Sequence, residues 1–185
     1  MKKPHQIRII GGKWRRRSLP VNSDPALRPT PDRQRETLFN WLQPTIDNTI
    51  CLDLYAGTGV LGFEALSRGA GHVTFVDHSF HNCQAIRHMA QNLECETVTV
   101  HKENAHEFLA QCQQPFDLIF LDPPFDSSLL QQNIDALAIG PLCHPGCQLY
   151  LEYSSSGSAP KLPQHWSGIK HCRTGSVFGD LVIVT

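Results

Sequence analysis

Cys51-Leu52-Asp53-Leu54-Tyr55-Ala56-Gly57-Thr58-Gly59-Val60-Leu61-Gly62 decides the fold of this 185-residue chain. A short apolar strand runs into a glycine-rich turn, and the turn runs into a helical pattern carried by Leu61, Ala65 and Leu66. Strand, tight turn and helix in that order form the first unit of a doubly wound α/β sheet, with a ligand site where the strand ends. Gly57-x-Gly59-x-x-Gly62 also satisfies the dinucleotide fingerprint. Two acidic residues move the reading elsewhere. Asp53 stands four positions before the first glycine, where a carboxylate repels a pyrophosphate and faces a cationic ligand. Asp77 ends the apolar run Val73-Thr74-Phe75-Val76, eighteen residues after Gly59, which places it beside a ribose whose hydroxyls it accepts from. S-adenosylmethionine meets both conditions.

The atom attacked is indicated by Asp122-Pro123-Pro124-Phe125, which closes the apolar run Phe116-Asp117-Leu118-Ile119-Phe120-Leu121. An acidic side chain, two prolines and an aromatic at a strand's end make a rigid pocket, because proline fixes φ and pushes its predecessor toward extended conformations. The pocket presents a side-chain oxygen and a backbone carbonyl to an exocyclic amino group, with a ring against the flat system that bears it. Such a nitrogen is a poor nucleophile, its lone pair being delocalised into the ring. Two acceptors holding its N–H bonds turn the lone pair toward an electrophile, which is catalysis by positioning and electrostatics.

The two motifs together resemble the class I S-adenosylmethionine-dependent methyltransferases, and the Asp-Pro-Pro-Phe form is similar to those acting on exocyclic or amide nitrogens. Arg8-Ile9-Ile10-Gly11-Gly12-Lys13-Trp14-Arg15, Leu27-Arg28-Pro29-Thr30-Pro31-Asp32-Arg33 and Arg35-Glu36-Thr37-Leu38-Phe39-Asn40-Trp41-Leu42 resemble the N-terminal signature of the RsmD family. Its members are 16S ribosomal RNA guanine-N2 methyltransferases, named for guanine 966. The likeness runs from Gln6 and weakens after about Ser155. The family usually carries Glu where this chain has Asp77, and a second acid where it has Ser79. The resemblance implies a Rossmann-like fold whose mostly parallel seven-stranded sheet ends in an antiparallel hairpin. It implies cofactor contacts at Asp53, Tyr55, Ala56, Gly57, Gly59, Asp77, Asn104 and Asp122, and a catalytic pocket of Asp122, Pro123, Pro124 and Phe125. Asn104 matches the position that contacts the adenine edge, although an Asn or Asp before a helix also serves as an N-cap, as Asp77 would.

One domain accommodates this length, and no run approaches the roughly 18 apolar residues of a membrane span. Met1-Lys2-Lys3-Pro4-His5-Gln6 has basic residues but no apolar core, so it is not read as a secretory signal, and the expected location is the cytoplasm. Seven scattered cysteines fit reduced thiols better than a disulfide framework. Cys143-His144-Pro145-Gly146-Cys147 lacks a second ligand pair at zinc spacing, so no metal is expected.

The net charge of −1 conceals a split. Residues 1 to 35 carry ten basic against two acidic residues, and the remaining 150 carry six basic against fifteen acidic. A basic arm on an acidic body points to a polyanion. Ile7, Ile9, Ile10, Trp14 and Leu19 interleave with the charges, as in a hairpin with Gly11-Gly12 at its turn. Residues 1–30 are therefore read as an RNA-contacting extension of a methyltransferase domain over 31–185. Arg8, Lys13, Arg15, Arg16, Arg17, Arg28 and Arg33 are its candidate phosphate contacts, Trp14 and Trp41 are assigned to the core, and the expected partner is 16S ribosomal RNA met by a monomer.

Beyond the arm, an amphipathic helix is predicted over 32–42, with Leu38, Phe39, Trp41 and Leu42 inward and Arg33 and Arg35 exposed. Strands follow near 50–54, 72–77, 97–101, 116–121 and 147–153, alternating with helices near 60–68, 79–93, 104–111 and 128–138. Ile169–Arg173 and Val177–Val184 flank Thr174-Gly175-Ser176, a connection short enough to permit only antiparallel pairing. Ser154-Ser155-Ser156-Gly157-Ser158 is read as a flexible connection. Competing functions are an amino-methyltransferase acting on adenine or cytosine in DNA or on a protein glutamine, and an inactive Rossmann-like RNA-binding module.

Overall fold

The computed structural model describes residues 7–19, 32–124 and 128–185. The expected stacking ring of Phe125, the expected phosphate contact of Arg28 and the expected extended segment from Leu27 to Pro31 lie outside the described residues. The elements run β1 (Ile7–Arg8), β2 (Ser18–Leu19), α1 (Asp32–Leu42), β3 (Ile50–Asp53), α2 (Val60–Ser67), β4 (His72–Asp77) and α3 (Phe80–Asn92). They continue through β5 (Val98–Lys102), α4 (Ala105–Gln111), β6 (Phe116–Leu121), α5 (Leu129–Ile139), β7 (Cys143–Ser154), β8 (Trp166–Thr174) and β9 (Val177–Val184).

Seven strands pair in the order β5-β4-β3-β6-β7-β9-β8. The first five are parallel, and β9 pairs antiparallel with both β7 and β8. The order reverses between β3 and β6, which opens a crevice at the carboxyl ends of those two strands. The central strands read as unbroken apolar runs because both faces are covered. Cys51, Val73, Phe75, Leu118 and Phe120 pack under α1, α2, α3 and the arm. Their neighbours Leu52, Val76, Ile119 and Leu121 pack under α4 and α5, against Phe108, Ile134 and Leu137.

Three expectations shift. β7 begins at Cys143 rather than near 147, because a register irregularity between Phe116 and Leu118 lets the Cys143–Gly146 stretch pair alongside β6. Arg35 is fully buried instead of exposed: its guanidinium bonds Asp32 at 2.6 Å and the Arg8 carbonyl at 3.1 Å, and it lies 3.7 Å from Glu64. The arm is a hairpin of two-residue strands, Ile7 facing Leu19 and Arg8 facing Ser18. Its turn comes after the two glycines, where Arg15 N–H donates to the Gly12 carbonyl and Arg17 N–H to the Trp14 carbonyl. Gly12, at φ +74°, is pressed on α2 so closely that a Cβ would sit 1.7 Å from the Ser67 carbonyl oxygen. Among the described residues no helix is long and apolar enough to cross a membrane.

Candidate active site

β3 carries Asp53 to the crevice, and the chain then turns through Tyr55, Ala56, Gly57 and Thr58 to Gly59, the residue that starts α2. Gly57 and Gly59 hold φ values of +52° and +75°, a region costing an L side chain about 1–2 kcal/mol. Three hydrogen bonds fix this loop to the neighbouring strands. Leu54 N–H donates to the Phe120 carbonyl at 3.2 Å, Ala56 N–H to the Val76 carbonyl at 3.0 Å, and Gly57 N–H to Asp77 Oδ2 at 2.7 Å. The third glycine serves packing, since a Cβ on Gly62 would stand 2.2 Å from the Phe75 ring. Tyr55 leans the other way, its hydroxyl accepting from Asn133 Nδ2 at 2.6 Å on α5.

Three carboxylates gather at these strand ends. Asp53 is buried, and its Oδ2 accepts the Gly62 N–H at 3.1 Å. Burial pushes the Asp53 carboxyl up to about 7; the Gly62 N–H opposes this, while the charges of Asp122 and Asp77 add to it. Asp77 is tied down on both oxygens, by Gly57 N–H, by Ser79 N–H at 2.7 Å and by Asn82 Nδ2, which straddles them at 3.2 Å. It is not the N-cap of α3; Ser79 takes that position, accepting from Asn82 N–H at 3.4 Å. Asn104 occupies the N-cap position of α4 at the same edge of the sheet but makes no side-chain cap. It is exposed, and its Nδ2 donates to Glu107 Oε2 at 3.3 Å.

Asp122 follows β6 half-buried, Pro123 is buried and Pro124 is exposed. Beside them opens a cleft of about 400 Å³, bounded by Pro123 and Pro124 on one side and by Glu152, Tyr153, Ser154 and Lys161 on the other. Asp53, Gly57, Gly59, Asp77 and Asp122 thus share one edge of the sheet with the cleft. The arm does not. It is clasped to the far half of α2, where Glu64 accepts from Ile10 N–H at 2.7 Å and Gly11 N–H at 2.8 Å. Ser67 Oγ accepts from Trp14 N–H at 2.9 Å and donates to the Gly11 carbonyl at 2.6 Å. Arg8, Lys13, Arg15, Arg16 and Arg17 on the arm, and Arg33 on α1, are all exposed. Trp14 and Trp41 are partly buried against the core, and Lys13 Nζ lies 4.1 Å from the Trp14 ring centre. Among the described residues no group of three His, Cys, Asp or Glu side chains is arranged to hold a metal ion.

A family profile described as Conserved hypothetical protein 95 matches residues 7–183. The chain is 43% identical over 172 residues to Ribosomal RNA small subunit methyltransferase D of Escherichia coli K12, covering 90% of this chain and 87% of the relative. The chain belongs to the RsmD family. The Haemophilus influenzae methyltransferase D is also 43% identical, over 93% of this chain and 91% of its own. Among solved structures, Escherichia coli yhhF superposes with a TM-score of 0.91 at 39% identity, over 97% of this chain and 98% of that one. Haemophilus influenzae HI0767 does so with a TM-score of 0.84 at 38% identity, over 97% and 99%.

Two parts of this RsmD chain's site went unread in the motifs. The serine-rich connection after β7 lines the cleft through Gly157 and Ser158, and the end of β7 adds Glu152 and Ser154. The signal was available, since ligands in open α/β sheets sit at strand carboxyl ends and β7 ends there. The clasp of Glu64 and Ser67 on the arm had no such signal, because backbone N–H partners leave no mark on side-chain spacing.

Proposed function

We propose that this chain transfers a methyl group from S-adenosylmethionine to the exocyclic N2 of a guanine in 16S ribosomal RNA, at position 966 by family resemblance, in the cytoplasm. The observation that carries the reading is the pairing of β3 with β6, which sets the glycine loop with its buried Asp53 at the strand end next to Asp122-Pro123-Pro124, themselves beside a cleft roomy enough for a nucleobase. Family membership raises ribosomal RNA above the other amino-bearing substrates.

The donor set fits the cofactor. A buried carboxylate that repulsion and desolvation hold near neutrality is stabilised by a cation at its side, and a sulfonium with an ammonium group supplies one. Asp53 would hold this charged portion. Asp77 would take the ribose hydroxyls in place of its two long contacts to Asn82 Nδ2, and Tyr55, Ala56, Gly57, Gly59 and Asn104 would line the remainder. When bound, S-adenosylmethionine supplies a methyl group on a sulfonium, open to attack by a lone pair.

Asp122 and a carbonyl of the proline pair hold the two N–H bonds of the amino group, and Phe125 stacks on the base. A guanine amino group is far too weak an acid to lose its proton to an ordinary carboxylate. Attack therefore comes first. The proton turns acidic as positive charge grows on nitrogen, and Asp122 then accepts it or passes it to water. Arg8, Lys13, Arg15, Arg16, Arg17, Arg28 and Arg33 meet phosphates. The test is primer extension across 16S ribosomal RNA from cells lacking this gene. Loss of one N2-methylguanine, restored by the gene, is expected; an unchanged modification pattern would overturn the reading.

A further inference from the structure

The basic arm is fastened to the far half of α2, away from the cleft. A nucleotide turned out of its stack is held by its own backbone beside the pocket, because phosphate contacts fix position while the pocket takes the base. The rim of the cleft therefore calls for cations of its own. We infer that Lys161 and Arg173 supply them, binding the phosphates on either side of the target nucleotide. The inference rests on the ribosomal RNA reading above and adds to it a second RNA surface, on the C-terminal part of the chain.

The distribution of charge points there. Residues 36–152 carry fourteen acidic residues against three basic, whereas residues 153–179 carry Lys161, Lys170, Arg173 and two histidines with no acid at all. The sign changes at the end of β7, where the chain also lines the cleft. None of the ion pairs among the described residues engages Lys161, Lys170 or Arg173. Asp180, the one acid of the hairpin, is occupied by its own sheet: its Oδ2 accepts from the Tyr153 hydroxyl at 2.7 Å and its Oδ1 meets His171 Nδ1.

Both cations are exposed on rigid mounts. Lys161 lines the cleft, and its backbone is clamped to α5: Lys161 N–H donates to Gln131 Oε1 at 2.8 Å, and Gln131 Nε2 donates to the Lys161 carbonyl at 3.1 Å. Arg173 stands one residue before the end of β8, at the turn that leads into β9. Ser155 N–H donates to the Ser176 carbonyl at 2.9 Å, and Ser155 lies between the cleft-lining Ser154 and Gly157, so this turn is tied to the rim. Arg173 Nε donates to the Gly175 carbonyl at 3.1 Å, and its Cζ lies 5.5 Å from the centre of the Phe178 ring. That hold leaves its two terminal nitrogens as a fork, which suits a phosphate. Anchored in this way, the two side chains lose less freedom when RNA arrives. Lys170 provides the contrast. It is opposite Leu181, whose side chain packs in the α1 core, so it stands on the other face of the same strand.

Basic residues on an edge strand also guard it against pairing with another sheet, a role that needs no RNA. The experiment measures affinity at several salt concentrations for a fragment of small-subunit ribosomal RNA that contains the target guanine. The Lys161→Ala, Arg173→Ala double variant should flatten the log–log salt slope by about 1.4–1.8, at roughly 0.7–0.9 per phosphate contact, and Lys170→Ala should leave it unchanged. A second fragment carries uncharged methylphosphonates on both sides of the target. The wild type should bind it more weakly than the natural fragment, and the double variant should bind the two alike. Salt plots of equal slope and height for wild type and double variant would overturn the inference, as would a Lys170→Ala effect as large as that of either rim residue. Equal wild-type affinity for the two fragments would overturn it even if the double variant folds poorly. In each of these failures the wild type still methylates the guanine; a wild type that methylates no guanine in the fragment overturns the parent reading and this one with it.

Discussion

The Glu64 carboxylate on α2 lies 3.7 Å from the Arg35 guanidinium on α1, and neither side chain reaches solvent. Around this pair most donors and acceptors are met: Glu64 takes two arm N–H groups and Arg68 Nε at 2.7 Å, and Arg35 reaches Asp32 and the Arg8 carbonyl, while its Nε finds no partner among the described residues. Buried charges are tolerated when satisfied in this way, and breaking such a pair leaves one of them stranded.

Glu64→Ala should therefore cost about 3–5 kcal/mol of stability and release the arm. Urea denaturation reads the first effect. Faster trypsin cutting at Arg15, Arg16 or Arg17 under native conditions reads the second, and a variant as stable and as resistant as wild type would show the clasp to be idle.

Asp122→Ala should abolish methyl transfer with cofactor affinity nearly intact. Losing one preorganised electrostatic partner costs on the order of 10²–10³ in rate. Single-turnover kinetics alongside calorimetry separates the two effects, and near wild-type turnover would remove Asp122 from the chemistry.

The raised Asp53 carboxyl predicts a pH dependence with a definite sign. Its folded pKa of about 7 lies above the unfolded value near 3.9. Between those values the folded state holds more protons, so this group's contribution to stability is fully present below about 3.9 and is lost as the pH rises to about 7. Asp53→Asn should flatten that part of the profile and stabilise the ligand-free chain at pH 8 by a few kcal/mol at most. It should also weaken S-adenosylmethionine binding. At pH 7, binding to the wild type should release about half a proton, measurable by calorimetry in buffers of different ionisation enthalpy. Binding without proton release would detach Asp53 from the cationic end of the ligand.

Replacing Arg15, Arg16 and Arg17 together with alanine should flatten the salt dependence of RNA affinity by about two to three units of slope, at roughly 0.7–0.9 per phosphate contact. All three are exposed and take no part in the clasp. The apparent substrate KM should rise and cofactor affinity should hold. Parallel salt plots of equal height for mutant and wild type would end the nucleic-acid role of the arm.

The alternation of apolar runs made the sheet legible, because strands buried on both faces leave few alternatives. Helix α1 emerged with the bounds the sequence predicts, Asp32–Leu42, yet its Arg35 was read outward. An arginine's direction depends on a partner, and Glu64 lies 29 positions away on another helix. Asp77 shows a similar limit. Its position at the end of β4 is plain from the strand pattern, whereas its bond to Gly57 N–H joins a strand end to a turn that only the fold brings beside it. Glu152 was hidden for a further reason. It sits within a predominantly apolar strand, and only the register with β6 sets it beside Asp122.

Helix α2 has eight residues, from Val60 to Ser67, and is therefore about 12 Å long. The glycine loop feeds one end and the arm is fastened to the other. The offset between the arm's basic turn and the crevice is thus a rigid length rather than the reach of a tether. Inserting one helical turn into α2 would displace the arm by about 5.4 Å and rotate little else. A chain altered in this way would keep both its ends and lose their spacing, so it would work as a misadjusted caliper on any RNA that had to touch both.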